Sequence, residues 1–158
     1  MTSEIAPDAI GFLTADHRKV QALFDEYDRL KEDGSAEQKF EIAKKVCGEI
    51  LIHMALEEAI FYPIVREKIG DDDLMNEATV EHDSAKELIR QLGEIEPGDE
   101  IFDARISVLS EQVEHHVQEE ESAMFPKVLL SEIDIAALGK DLNSARIAMR
   151  NNLNLPPE

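Results

Sequence analysis

Two stretches of the chain repeat one another. His53-Met54-Ala55-Leu56-Glu57-Glu58-Ala59-Ile60-Phe61-Tyr62-Pro63 returns as His116-Val117-Gln118-Glu119-Glu120-Glu121-Ser122-Ala123-Met124-Phe125-Pro126, and both fit His-x3-Glu-Glu-x2-(Phe/Met)-aromatic-Pro. Upstream, Asp16-His17 is matched by Glu81-His82, so that His17 lies 36 residues before His53 and His82 lies 34 before His116. A duplicated unit of this length with helical periodicity is an αα-hairpin. Two such units can bury their apolar faces only against each other.

The flanking pattern supports this. Apolar residues recur at steps of three and four on four faces. These are Ile10, Leu13, His17, Val20, Phe24 and Tyr27; Ile42, Val46, Ile50, His53, Glu57, Ile60 and Ile64; Met75, Ala78, His82, Ala85, Ile89 and Leu92; and Phe102, Ile106, Leu109, Val113, His116, Glu120 and Ala123. Helix stops are written at Asp33-Gly34, Ile69-Gly70 and Glu96-Pro97-Gly98, and starts at Asp8, Ser35 (with Gln38 as a capping box), Asp71 and Asp99. Pro63 and Pro126 fall late in their helices and predict kinks. No alternating strand pattern competes. The expected fold is all-α, an antiparallel up-down four-helix bundle over residues 8–130 in one domain spanning 1–158. An additional C-terminal helix is expected over 131–151, with Ile135, Leu138, Leu142, Ala145 and Met149 on one stripe that packs on the bundle or forms a dimer contact. A frayed tail is expected over 152–158.

Charge narrows the partners. The 158 residues carry 35 Asp+Glu against 16 Lys+Arg, a formal charge of −19. Nucleic acid is therefore not an expected partner, because phosphate recognition needs a basic footprint, and an anionic membrane surface is disfavoured for the same reason. No apolar run is long enough to span a membrane. Met1–Ile10 lacks a basic segment followed by an apolar one, so no signal peptide is expected, and with Cys47 as the only cysteine a cytoplasmic location is the expectation.

The chemistry lies where the seams are interrupted. His17 and His53 sit at similar distances from the turn near residue 33, ~24–29 Å at ~1.5 Å per residue, and the second hairpin is balanced in the same way. His53 with Glu57, and His116 with Glu120, are i,i+4 pairs on one face. Four histidines and two glutamates thus converge mid-bundle, with no lysine or arginine on the seam to compensate the carboxylates. Divalent cations would remove that cost. Six side chains, two of them carboxylates able to bridge, suit two metals, and nitrogen-plus-carboxylate ligation favours iron, manganese or zinc. One histidine on an apolar face is ordinarily a hydrogen-bonded core residue; four at one level, two with i+4 carboxylates, reverse that expectation. His115, about 100° round the helix from His116, is expected in an outer or exposed position. Glu58 and Glu121, like Asp16 and Glu81, either orient the histidines or belong to a solvated acidic face, the latter being favoured for Glu58 and Glu121. Tyr62 and Phe125 are packing positions, Tyr62 also being near enough to donate to a bound oxygen species. Cys47 reads as a small buried apolar residue.

These residues carry a resemblance. The chain resembles the hemerythrin-like proteins with the HHE cation-binding domain over about residues 8–130. That resemblance implies a non-haem di-iron centre with His17, His53, Glu57, His82, His116 and Glu120 as iron ligands, Glu57 and Glu120 as bridges, and an oxo or hydroxo group between the irons. Oxygen-carrying hemerythrins place His-x3-His on the third helix, whereas Ala78 and Lys86 occupy the positions four away from His82. The symmetric two-plus-two set is instead similar to the bacterial iron–sulfur repair proteins and to mycobacterial hemerythrin-like proteins with peroxide-decomposing activity. The expected protein is a monomer or homodimer that reacts with hydrogen peroxide, nitric oxide or dioxygen in oxidative or nitrosative stress. The alternatives are oxygen, nitric oxide or iron binding or sensing without turnover, iron donation for iron–sulfur repair, and a metal-free acidic bundle acting by contact.

Overall fold

The computed structural model describes residues 6–153 and 155, so residues 154 and 156–158 of the tail expected to fray over 152–158 lie outside them. Seven α-helical segments occur among these residues: α1 (Ala9–Asp33), α2 (Ala36–Leu56), α3 (Tyr62–Ile69), α4 (Asp72–Leu92), α5 (Glu100–Glu119), α6 (Phe125–Leu129) and α7 (Ile135–Asn152). A π-helical turn at Glu57–Phe61 joins α2 to α3, and another at Glu120–Met124 joins α5 to α6, so four continuous rods form the bundle. Around it, α1 packs on α2 and α5, α4 packs on α5 and α2, and α7 lies outside against α1 and α2. No strand occurs among the described residues.

The caps are those the sequence marks. Asp8, Asp71 and Asp99 accept from backbone amides of the first turns, and Ser35 and Gln38 form the reciprocal capping box. α4 stops earlier than Pro97-Gly98 suggests. Its end is at Leu92, where the Gly93 amide bonds back to the Ile89 and Arg90 carbonyls. α7 is capped by Asp134, while the Ser131 hydroxyl donates to the Val128 carbonyl in the turn before it.

Each of the two prolines follows a widened turn. The Tyr62 amide reaches the Glu57 carbonyl five residues back, and the Phe125 amide reaches that of Glu120. A proline ring clashes with the carbonyl four residues earlier, and a widened turn ahead of it takes up the extra residue. The face therefore advances by one. Phe61 and Val65 are fully buried where a straight helix would bury Ile60 and Ile64, which are only partly buried. In the second copy Met124, Phe125 and Val128 fill the core while Ala123 is half-buried.

The core is two apolar clusters with a polar belt between them. One holds Phe12, Leu13, Leu56, Phe61, Met75 and Leu138 beneath α7, and the other holds Val20, Phe24, Tyr27, Val46, Ile89 and Leu109. Between them lie His17, His53, Glu57, His82, His116 and Glu120, each no more than 8% exposed. The α7 stripe packs inward through Leu138 and Leu142, which belong to the first cluster.

Candidate metal centre

All six seam residues singled out in the sequence meet in that belt. His17 stands on α1, His53 on α2, His82 on α4 and His116 on α5, and each π turn begins with a glutamate, Glu57 or Glu120. Their donor atoms fall into two groups, Glu57–His82–His116–Glu120 and His17–His53–Glu120, each with all atoms within 4.8 Å of one another. Glu120 is shared: Oε1 lies 3.2 Å from His17 Nε2, and Oε2 lies 3.0 Å from His116 Nε2. Glu57 Oε1 likewise faces His53 Nε2 at 3.0 Å and His82 Nε2 at 3.3 Å. Both carboxylates therefore touch both halves of the repeat.

These close approaches are not hydrogen bonds. His17 Nε2, His53 Nε2, both Glu57 oxygens and Glu120 Oε1 are buried without a hydrogen-bond partner, although ion-pair distances of 3.0–3.2 Å separate several of them. Distance alone does not make a bond here, because atoms converging on a common point come close without pointing at one another. Unsatisfied buried polar groups are rare and costly. A metal ~2.0–2.2 Å from each ligand holds any two ligand atoms within about 4.4 Å, so a small contraction would let both groups close on cations. The donor set fits two metals.

Around the imidazoles, carboxylates face the outer nitrogens. His53 Nδ1 meets Asp16 at 2.9 Å, His116 Nδ1 meets Glu81 at 2.9 Å, and His17 Nδ1 meets Glu121 at 3.2 Å. Glu58 lies 3.5 Å from His82 Nδ1 without forming a hydrogen bond. A carboxylate can only accept, so such a partner holds the proton on Nδ1 and leaves Nε2 facing the centre. Asp16 and Glu81 are thus orienting groups related by the repeat. Glu58 and Glu121, for which the sequence favours a solvated face, lie against the histidines while keeping salt bridges to Lys86 and Arg18, each 2.5 Å. His115 is at the surface, its side chain 65% exposed, 3.2 Å from Glu119.

Tyr62 breaks the symmetry. Its buried hydroxyl donates to Glu120 and lies 3.1 and 3.2 Å from the Nε2 atoms of His82 and His116. Its counterpart Phe125 instead stacks on His17, ring centroids 5.9 Å apart. Burial, then Glu57 and Glu120, push the Tyr62 phenol well above its ordinary pKa, so it stays a donor. Cys47, half-buried, is pushed up to about 12 by burial and remains a neutral thiol.

Without metal, protons take the place of cations. Burial disfavours charge on His53, but Glu57 and Asp16 outweigh it and bring its pKa up to about 10. His116 is raised well above its usual value in the same way, against burial, by Glu120, Glu57 and Glu81. Burial would raise Glu57, yet His53, Glu120 and His116 hold it well below the carboxylate range. A histidine whose folded pKa exceeds its unfolded one stabilises fully below about pH 6.5, and that contribution disappears as pH rises through the folded pKa. The melting temperature of chelator-treated protein is therefore expected to fall from about pH 6.5 towards 10, with a smaller fall for metal-loaded protein. Thermal scans of both forms check this, and parallel pH dependences would contradict it.

The sequence marks no residue of α7 as part of a site, yet Arg146 donates to Asp16 behind His53. It stands 130 positions from Asp16, where no local spacing links the two.

The family model described as Hemerythrin HHE cation binding domain matches residues 8–128. A hemerythrin HHE cation binding domain-containing protein from Mycobacterium kansasii has a crystal structure that superposes with a TM-score of 0.78 over 92% of this chain and 89% of that one, at 18% identity, a likeness of fold. A DNA nickase from Nostoc sp. is 31% identical over 113 residues, 72% of this chain but 31% of its own length, so this chain spans about a third of that relative.

Proposed function

The chain belongs to the hemerythrin HHE cation-binding domain family, and we propose that it holds two iron ions with His17, His53, His82, His116, Glu57 and Glu120 and presents them to hydrogen peroxide, nitric oxide or dioxygen. The observation that carries this is the set of buried donor atoms with no hydrogen-bond partner, facing inward from both repeats. Outer carboxylates hold the Nδ1 atoms of His17, His53 and His116 and leave the Nε2 atom of each facing the centre. A bound pair of irons supplies redox change and coordination positions open to a small molecule.

The space beside the imidazoles favours a small ligand. A cavity of about 30 Å³ lies between the four histidines and an apolar floor of Val20, Ile50, Met54, Ala85 and Val113. One to a few light atoms fit there. A larger groove between α1 and α5 reaches the other side of His17, Val20, Val113 and Val117, and we take it as the entry path. Val117→Phe is then expected to slow association of nitric oxide on the order of tenfold, about 1.4 kcal/mol at the barrier, with metal content unchanged. Stopped-flow mixing measures the rate, and an unaltered rate would place the path elsewhere.

The chain's own groups define the reaction it can support. Glu57 and Glu120 hold the centre across both repeats, Tyr62 keeps a proton beside Glu120, and the apolar floor limits water. Peroxide decomposition balances without an external reductant, one molecule being oxidised to dioxygen as another is reduced to water. Iron-loaded protein should release oxygen from peroxide, and Glu57→Ala or His116→Ala should abolish the release. Loaded protein that binds nitric oxide or azide but turns over nothing would favour binding or sensing. Nucleic acid is outside this reading, because a −19 chain repels the phosphate backbone.

A further inference from the structure

We propose that Arg146, on α7, is a positioning residue for the metal centre and acts on His53 through Asp16. This rests on the di-iron reading. Arg146 and Asp16 are 9% and 8% exposed. One carboxylate oxygen, Asp16 Oδ2, accepts from the Arg146 guanidinium and also meets His53 Nδ1 at 2.9 Å. The guanidinium lies over the Phe12 ring, 4.0 Å from its centroid, which fixes its plane. α7 is itself held close: a Cβ on Gly139 would stand 2.3 Å from the Pro7 carbonyl oxygen. A rigid path therefore runs from a helix beyond the matched residues 8–128 to an imidazole of the centre.

By sharing that oxygen, the guanidinium draws charge from Asp16, moderates its pull on the His53 proton and fixes where the carboxylate sits. In the other repeat, Glu81 holds His116 Nδ1 at 2.9 Å but turns its second oxygen towards surface-exposed His115 at 3.6 Å. The two halves of the centre thus have different outer support, and Arg146 belongs to the His17–His53 half alone. Partners of this kind alter metal affinity by about 10–100-fold when removed.

Arg150 provides the control. It lies on the same helix, is equally buried, and pairs with Glu49 at 3.0 Å rather than with a group of the centre. Iron(II)-loaded protein is mixed anaerobically with a chromogenic chelator and the release of each iron is timed. In Arg146→Met, one of the two irons should leave about 10–100-fold faster than in wild type, and the other at the wild-type rate. Arg150→Met should match wild type, and Arg146→Lys should recover part of the loss. In an Asp16→Asn background, Arg146→Met should add no further change. Unchanged release in Arg146→Met, equal acceleration in Arg150→Met, or an undiminished effect beside Asp16→Asn would each overturn the proposal. Wild-type protein that holds no iron would overturn the di-iron reading as well, which separates the two failures.

Discussion

Glu120→Ala is expected to leave the protein without stoichiometric metal, whereas His17→Ala should keep about one ion per chain. The difference comes from sharing. Glu120 presents Oε1 to His17 and Oε2 to His116, so its loss removes a carboxylate from both groups of donor atoms. His17 belongs to one group only. In metal-free protein Glu120 also faces two buried histidines and accepts from Tyr62, so its removal leaves polar groups without their partner. Circular dichroism should therefore accompany metal analysis, and Glu120→Gln, which keeps the shape but not the charge, should also lose metal while folding. Full loading of Glu120→Ala would exclude Glu120 as a carboxylate shared by the two ions.

The second large effect concerns stability. Phe61→Ala should cost about 3–5 kcal/mol, the usual range for truncating a fully buried aromatic ring, while Ile60→Ala should cost clearly less. Phe61 is 0% exposed and touches the rings of Tyr62 and Phe125. Ile60, its neighbour, is only partly buried at the edge of the same cluster. A straight α-helix would reverse that order. Urea unfolding of both variants thus reports on the π turn: equal costs, or a larger cost for Ile60→Ala, would deny the one-residue advance. The same advance carries Tyr62 to Glu120, so the turn that sets core packing also sets which aromatic residue reaches the centre.

Most of the architecture was legible because burial in a bundle repeats every three or four residues. All six α4 seam residues, Met75 to Leu92, are buried, and all four interrupting histidines face the belt. The convergence of the donor set was legible because the repeat fixes their level along each helix. The parts that escaped did so for physical reasons. The advance from Ile60 to Phe61 comes from a local hydrogen-bond change at proline, invisible to a fixed period. The early end of α4 arises because Gly93 stops the helix before Pro97 does. Asp16 and Glu81 were readable as candidates only because they recur together. Arg146 had no such twin, and its approach to Asp16 depends on how α7 packs across α1.

That two metal ions join the halves of the repeat is tested most directly by metal content measured with the visible spectrum, before and after azide, nitric oxide and peroxide. Two irons per chain with ligand-dependent absorption bands are expected. Protein that takes up no stoichiometric metal after anaerobic iron(II) loading, with a melting temperature indifferent to chelator, would contradict it.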